Sequence, residues 1–155
     1  MTMHSPITTQ IATIADLEVT ASLFDAYRQF YGQAPDLALA TRFIRDRMQN
    51  GESVILLATR EDRKVIGFCQ LYPSFCSVEA KPVYLLYDLF VVAEARRSGA
   101  GKALLQKAER LAIDQGMARL DLTTAKTNKP AQAAYEALGW VRDEVFYAYS
   151  KHIQV

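Results

Sequence analysis

At 155 residues the chain has the length of one domain with room for a sizeable core. Half of it is hydrophobic, 23% is charged and the formal net charge is +1, so no global field points to nucleic acid or a membrane surface, and any anion site must be local. No run approaches the roughly 20 apolar residues of a membrane span, and the opening MTMHSPITTQ lacks the apolar core of a signal peptide, so a cytoplasmic protein is expected.

Ile7 to Ile11 fits a first strand. Asp16 opens a helical pattern, with Leu17, Leu23, Phe24, Tyr27 and Phe30 at three- and four-residue steps, and Gly32 and Pro35 break it. A second helix is expected from Asp36 to Asn50, turning Leu37, Ala40, Phe43, Ile44 and Met48 inward, with Gly51 closing it. Val54 to Ala58 reads as a strand, the charged tip Arg60 to Lys64 as a turn, and Val65 to Tyr72 as the returning strand of a hairpin. Cys69 and Cys76 lie near this strand; reduced thiols are the expected state and a disulfide the alternative. With His4 and His152 scattered elsewhere, they do not make a zinc site, and no metal is expected. Pro73 to Pro82 reads as loop or irregular edge.

Tyr84 to Val92 (YLLYDLFVV) is nearly continuous apolar sequence with one carboxylate, Asp88, inside it. Such a run is a central strand covered on both faces. Lys102 to Gln115 carries Leu104, Leu105, Ala108, Leu111 and Ala112, an amphipathic helix ended by Gly116. Leu120 to Thr124 follows as a strand. Asn128 to Leu138 is a helix with Pro130 in its first turn and Gly139 past its end, and Val141 to Ser150 reads as a final strand or two. This order predicts an α/β fold, a mixed sheet with helices on both faces.

The loop between the apolar strand and the amphipathic helix, RRSGAGKA, ends in Gly-Lys as a triphosphate-binding loop does. It is not one. The leading glycine of that motif would fall on Arg96, and the hydroxyl residue after the lysine is replaced by Ala103. The dinucleotide fingerprint fails too, because its third glycine would fall on Leu104. What remains still suits an anion. A helix N-terminus offers unpaired backbone N–H groups at the positive end of its dipole, Gly99 and Gly101 let a ligand approach the backbone, and Arg96, Arg97 and Lys102 add charge. A pyrophosphate would fit; a glycine turn with solvated arginines is the alternative.

Arg96-Arg97-Ser98-Gly99-Ala100-Gly101 resembles the Q/R-x-x-G-x-G/A motif of the GNAT N-acetyltransferase superfamily. DLFVVAEARRSGAGKALL is similar to that family's fourth strand, pyrophosphate loop and third helix, and NKPAQAAYEALGW to its next segment. Together they cover residues 84 to 149. YRQFYG and GFCQLYPSF, farther upstream, look like bacterial members related to the small yeast histone and polyamine acetyltransferases.

The resemblance implies one domain over residues 1–155, with a mixed, mostly antiparallel central sheet flanked by helices. It implies acetyl-CoA as cosubstrate, a small-molecule or peptide amine as acceptor, and a homodimer. Backbone N–H groups from Arg97 to Ala103 would cradle the pyrophosphate. The strand carrying Leu89, Phe90 and Val91 would pair with the pantetheine arm, the N–H of Leu89 polarising the thioester carbonyl. Asn128 and Ala131 would contact the cofactor, and Tyr135 would be the general acid at sulfur. By spacing alone Tyr135 reads rather as a helix-packing aromatic, one of eight tyrosines.

The base is open. The glutamate that some relatives carry before the aspartate is Tyr87 here. A lone carboxylate in an apolar strand is costly to bury, so Asp88 should have a partner or a task. It could take the amine proton, serve as a structural acceptor for backbone N–H groups, or leave the proton to a water chain. Tyr27, Phe30, Tyr31, Tyr72 and Phe75 are candidates for the acceptor side or for plain core; Glu79, Asp143 and Glu144 are candidates to attract a cation or are solvated surface. A non-catalytic acyl-CoA sensor on the same fold is the rival to an enzyme.

Overall fold

A computed structural model describes residues 6–154; His4 lies outside them. The chain forms two units, one ending at Thr123 and one beginning at Thr124. Each is described by itself.

The first unit holds β1 (Thr8–Ile11), α1 (Leu17–Phe30), α2 (Leu37–Gln49), β2 (Val54–Thr59), β3 (Val65–Cys76), β4 (Lys81–Val91), α3 (Ala100–Asp114) and β5 (Leu120–Asp121). The strands make one five-stranded sheet in sequence order. The first four are antiparallel neighbours, and β5 runs parallel to β4. The expected mixed, mostly antiparallel sheet is therefore present.

Its two faces are separated by strand alternation. Phe68 meets the rings of Phe24 and Tyr27 on α1, and joins Leu23, Ala40, Ile44, Ile55 and Leu57 in one buried cluster. Its neighbour Gly67 must face the other way. There a Cβ would touch Leu104 of α3 at 3.5 Å. So α1 and α2 cover one face and α3 the other, with Leu104, Leu105, Ala108, Leu111 and Ala112 buried as the periodicity predicts. Asp25, buried on α1, ties the two helices on their face together by accepting from the N–H of Asp36 at 3.0 Å.

Gly67 is fixed by this packing. A Cβ there would lie 2.8 Å from the carbonyl oxygen of Phe90 and 3.2 Å from Val91 Cγ2. The first of these is backbone of a paired strand and cannot rotate away. Gly67→Ala should cost about 1–3 kcal/mol of overpacking, read as a lower urea midpoint at unchanged slope.

The segment from Pro73 to Pro82 corrects the sequence reading. It is not irregular: β3 continues to Cys76, β4 starts at Lys81, and a tight turn over residues 77–80 joins them. The prolines that suggested a break fall where no ladder donor is needed. Tyr84 donates away from β3, to the carbonyl of Arg119, so Pro73↔Tyr84 and Phe75↔Pro82 are non-hydrogen-bonded pairs. Leu120 to Thr124 is shorter than expected, pairing with β4 only through Leu120 and Asp121.

The second unit holds α4 (Lys129–Ala137), capped by Asn128 and followed by Gly139 at φ 90°. The strand or strands expected over Val141 to Ser150 are absent: residues 141–154 carry no helix or strand. The alternation there is apolar enough, but a strand exists only as part of a ladder, and the described residues of this unit form no other strand to pair with. Instead the Asp143 carboxylate takes the N–H groups of Val145 and Phe146 into a local turn.

Candidate active site

Between β4 and α3 the backbone turns sharply. Val92 leads into a single 3-10 turn, Ala93–Ala95, whose Ala95 is buried against the body of the unit. Arg97 at φ 65° and Gly99 at φ 91° are both left-handed, and Gly99 is the residue that caps α3. A non-glycine residue in that region is uncommon and marks a constrained loop. The Ala100 N–H reaches Ser98 Oγ at 3.3 Å, and the Ala103 N–H closes the first helical bond on the Gly99 carbonyl at 2.9 Å. Gly101 and Lys102, in the first turn between them, have N–H groups with no acceptor inside the helix. Nothing lies within 4 Å of where a Cβ would stand on Gly99 or Gly101. A turn of backbone donors at the positive end of a 15-residue helix is a good match for a diphosphate.

Arg96 has a more local part than its neighbours. Its Nε donates to the Val91 carbonyl at 3.2 Å, and its guanidinium lies 5.3 Å over the ring of Phe30. It braces the loop against the end of β4 and against α1. Lys102 and Arg97 flank the donor turn.

The edge of β4 beside this loop has an alternating pattern with one interruption. Tyr84 donates toward β5, whereas Val92 donates toward β3, to the Ile66 carbonyl at 2.9 Å. Residues an even number apart should donate to the same side. The reversal has a visible cause: Gln70 pairs with Asp88 and Leu71 with Leu86, leaving Tyr87 as an extra residue on β4. Beyond that bulge, Asp88, Phe90 and Val92 donate to β3, while Leu89 and Val91 point their N–H groups to the other side. Within this unit the β4–β5 ladder has ended by then, since it stops at Leu85. The two residues singled out from sequence as donors to an extended arm are the two whose donors the sheet leaves over.

The bulge also sets the side chains. Tyr87 lies edge-on to the ring of Tyr72 at 5.5 Å, while Asp88, only 6% exposed, turns into the face covered by α1. Asp88 Oδ2 accepts from Gln70 Nε2 at 2.6 Å, and the Tyr27 phenol is near enough to act on the same carboxylate. Gln70 is wholly buried, and its amide oxygen accepts from Ser53 Oγ at 2.8 Å, which turns its NH2 toward Asp88. Burial holds the Asp88 carboxyl above the usual aspartate range, against the opposing effect of the Gln70 hydrogen bond and the Tyr27 phenol. Burial first, and then the Asp88 charge, raise Tyr27 far above an ordinary phenol and push Tyr72 up to about 12. Cys69 is buried, free and raised by burial, so it is an inert thiol; Cys76 is free as well, and no disulfide forms.

The structural alternative for Asp88 invoked backbone N–H groups; among the described residues its partners are side chains. Gln70 and Ser53 were missed in the sequence. A glutamine at an inward position of β3 was the available signal, but its meaning depends on the register that sets it opposite Asp88. Of the five aromatic candidates, Tyr27 and Tyr72 gather around Asp88, and Tyr31 packs edge-on to Tyr27 at 5.0 Å. Phe30 belongs to Arg96, and Phe75 is exposed on the β3–β4 hairpin. Glu79 pairs with Arg119 at 3.6 Å, and Glu144 with Arg142 at 2.9 Å, both on exposed surface.

In the second unit Tyr135 lies on α4 with its ring 6.0 Å from that of Trp140, whose backbone N–H donates to the Tyr135 carbonyl. Asn128 Oδ1 accepts from the Ala131 N–H at 3.2 Å. The side-chain oxygen of Asn128 therefore caps the helix, and its amide NH2 is the end left to meet a ligand. Among the described residues no three His, Cys, Asp or Glu side chains gather as a metal set, and no helix is long and apolar enough to cross a membrane.

Comparisons with known proteins give the family and the fold. Residues 18–140 match the acetyltransferase (GNAT) family. The chain is 44% identical over 142 residues to an uncharacterized N-acetyltransferase, YhfO, of Bacillus subtilis (strain 168), covering 92% of this chain and 95% of that one. It is 28% identical over 109 residues to an aminoglycoside N(6')-acetyltransferase type 1 of Acinetobacter genomosp. 13, covering 68% of this chain and 75% of that one. The crystal structure of a probable acetyltransferase superposes with a TM-score of 0.88 at 37% identity, over 96% of this chain and 98% of that chain.

Proposed function

Since the chain belongs to the acetyltransferase (GNAT) family, we propose that it moves an acetyl group from acetyl-CoA to the primary amine of a small molecule or peptide by direct attack. The single observation that carries this is the join of β4 to α3. Two strand donors left over by the sheet, Leu89 and Val91, stand at the end of β4, and the loop that follows carries the chain to the helix donors at Gly101 and Lys102. An extended amide-bearing arm ending in a diphosphate matches that row. Acetyl-CoA, when bound, supplies the activated acetyl thioester.

The chain's own residues then divide the work. Backbone N–H groups from Arg97 to Ala103 hold the diphosphate. The N–H of Leu89 polarises the thioester carbonyl; losing a donor of that kind costs on the order of 3 kcal/mol in other enzymes. Asp88 accepts the proton that the amine loses as its nitrogen bonds to the acetyl carbon. Tyr135 gives a proton to the sulfur as the carbon–sulfur bond breaks, and the amide NH2 of Asn128 contacts the cofactor. A single domain, a homodimer, a cytoplasmic setting, and kinship of the first eighty residues to relatives of the small yeast histone and polyamine enzymes belong to the same proposal.

The test is release of CoA thiol from acetyl-CoA across polyamines, amino acids, aminoglycosides and basic peptides, with mass spectrometry of the products. Amine-dependent release with a gain of one acetyl group supports transfer. Tight acetyl-CoA binding without release from any amine would favour the sensor. In the same assay Tyr135→Phe should lower turnover at least about 100-fold while leaving acetyl-CoA affinity unchanged. Full activity in that variant removes Tyr135 from the mechanism.

A further inference from the structure

Asp88 does not sit in a generally acidic cleft. Asp25, the other buried acid of the first unit, is occupied by Gln29 Nε2 and the Asp36 N–H, and Glu52 is paired with Arg47 at 3.4 Å. Arg47 in turn packs its guanidinium 4.3 Å over the Phe43 ring, close enough to Tyr72 that its charge acts on that phenol. The face around Asp88 therefore offers one carboxylate that no cation pairs, with the Arg47–Glu52 ion pair nearby.

Four tyrosines lie around Asp88, with Phe68 and Phe90 on the same face. Tyr27 acts on Asp88 and carries Tyr31 edge-on at 5.0 Å; Tyr72 carries Tyr87 edge-on at 5.5 Å. Two of the four are largely exposed, Tyr31 at 64% and Tyr87 at 69%. Tyr87 is also the extra residue of the β4 bulge, directly before Asp88, so the bulge fixes the ring and the carboxylate together. Aromatic faces attract an ammonium group and bury apolar carbon with equal ease.

We propose that the acceptor is a primary monoamine with an aromatic or otherwise apolar body, an arylalkylamine in chemical class, its ammonium directed to Asp88 and its body against Tyr87 and Tyr72. This rests on the acetyl-transfer reading of the same site. A polycation would find one unpaired carboxylate for its several charges, since Glu52 is already held by Arg47. An amino acid would bring its own carboxylate up to Asp88. Tyr87 is then a specificity-determining residue: it presents a ring where a second carboxylate would suit a polycation.

Calorimetry of the full chain saturated with CoA, using 2-phenylethylamine, ethylamine, spermidine and kanamycin as titrants, tests this directly. The expected result is 2-phenylethylamine binding at least about tenfold tighter than each of the other three, a difference worth about 1.4 kcal/mol. Tyr87→Ala should remove most of that preference, and Tyr87→Glu should turn it toward spermidine. Tighter binding of spermidine or kanamycin, or equal binding of ethylamine and 2-phenylethylamine, overturns the proposal even without a variant. CoA release measured on the same four amines separates the two readings. Release led by spermidine or kanamycin keeps acetyl transfer and overturns the monoamine class. Selective binding of 2-phenylethylamine without any release sustains the site and removes the transfer reading.

Discussion

Gly101→Glu should weaken acetyl-CoA binding at least about 100-fold, close to 3 kcal/mol, while leaving the protein as stable as before. The two halves of this expectation come from different observations. Position 101 lies in the first turn of α3 with nothing within 4 Å of the point where a Cβ would stand, so a glutamate enters without displacing a neighbour. Its backbone needs no left-handed conformation, unlike Gly99 at φ 91°. Replacing glycine inside a helix removes a propensity cost of about 1 kcal/mol, and a carboxylate near the N-terminus is favoured by the dipole. Stability should therefore hold or rise. Binding should fail for the same reason that stability does not: the carboxylate enters the open space beside the turn and brings negative charge to donors assigned to a diphosphate. Calorimetry with acetyl-CoA reads the first half and a thermal melt the second. Unchanged affinity removes the loop assignment; a fall in melting temperature would mean that the turn packs more tightly than its geometry indicates.

Much of this was legible in the sequence, for identifiable reasons. The three helices of the first unit show clean three- and four-residue spacing with Asp36, Gly51 and Gly116 as punctuation, and the helices formed within a residue or two of their expected ends. The glycine loop was legible because Gly99 and Gly101 answer to backbone geometry, which a short motif records directly. The β3–β4 hairpin was less so. Prolines at 73 and 82 look like breaks until the ladder parity is known, and parity depends on partners distant in sequence. The bulge at Tyr87 has no local signature, since an extra residue exists only relative to Gln70 and Leu71 on the opposite strand. For that reason Asp88 was recognisable as an anomaly, whereas its support by Gln70, Ser53 and Tyr27 was not. Residues 141–150 misled in the opposite direction: the strand propensity of Val145, Phe146, Tyr147 and Tyr149 is real, but the carboxylate of Asp143 claims the local N–H groups first.

Asp88→Asn should lower turnover at least about 100-fold, the smaller end of what a positioned base contributes, without unfolding the protein. The substitution keeps the shape of the side chain. Gln70 Nε2 can still donate to the remaining oxygen, and the new NH2 can donate to the Tyr27 hydroxyl, so both partners stay satisfied. The pH behaviour separates a base from a scaffold. Burial raises the folded carboxyl above its unfolded value of 3.8, so the native state holds this proton more tightly than the unfolded chain does. The stability contributed by the protonated form is complete below 3.8 and is lost as pH rises through the raised value; above it the buried charge is a constant cost. Asparagine removes that cost, so at neutral pH the variant should unfold at an equal or higher denaturant concentration than the parent. Turnover runs the other way. The parent needs Asp88 ionised, so its rate should fall as pH drops through the same raised value, and this acid limb should vanish from whatever activity the variant retains. A stable, inactive protein without the acid limb assigns proton transfer to Asp88. An unstable protein that keeps its turnover and its limb makes Asp88 the anchor that joins β3, β4 and α1, and leaves the amine proton to water.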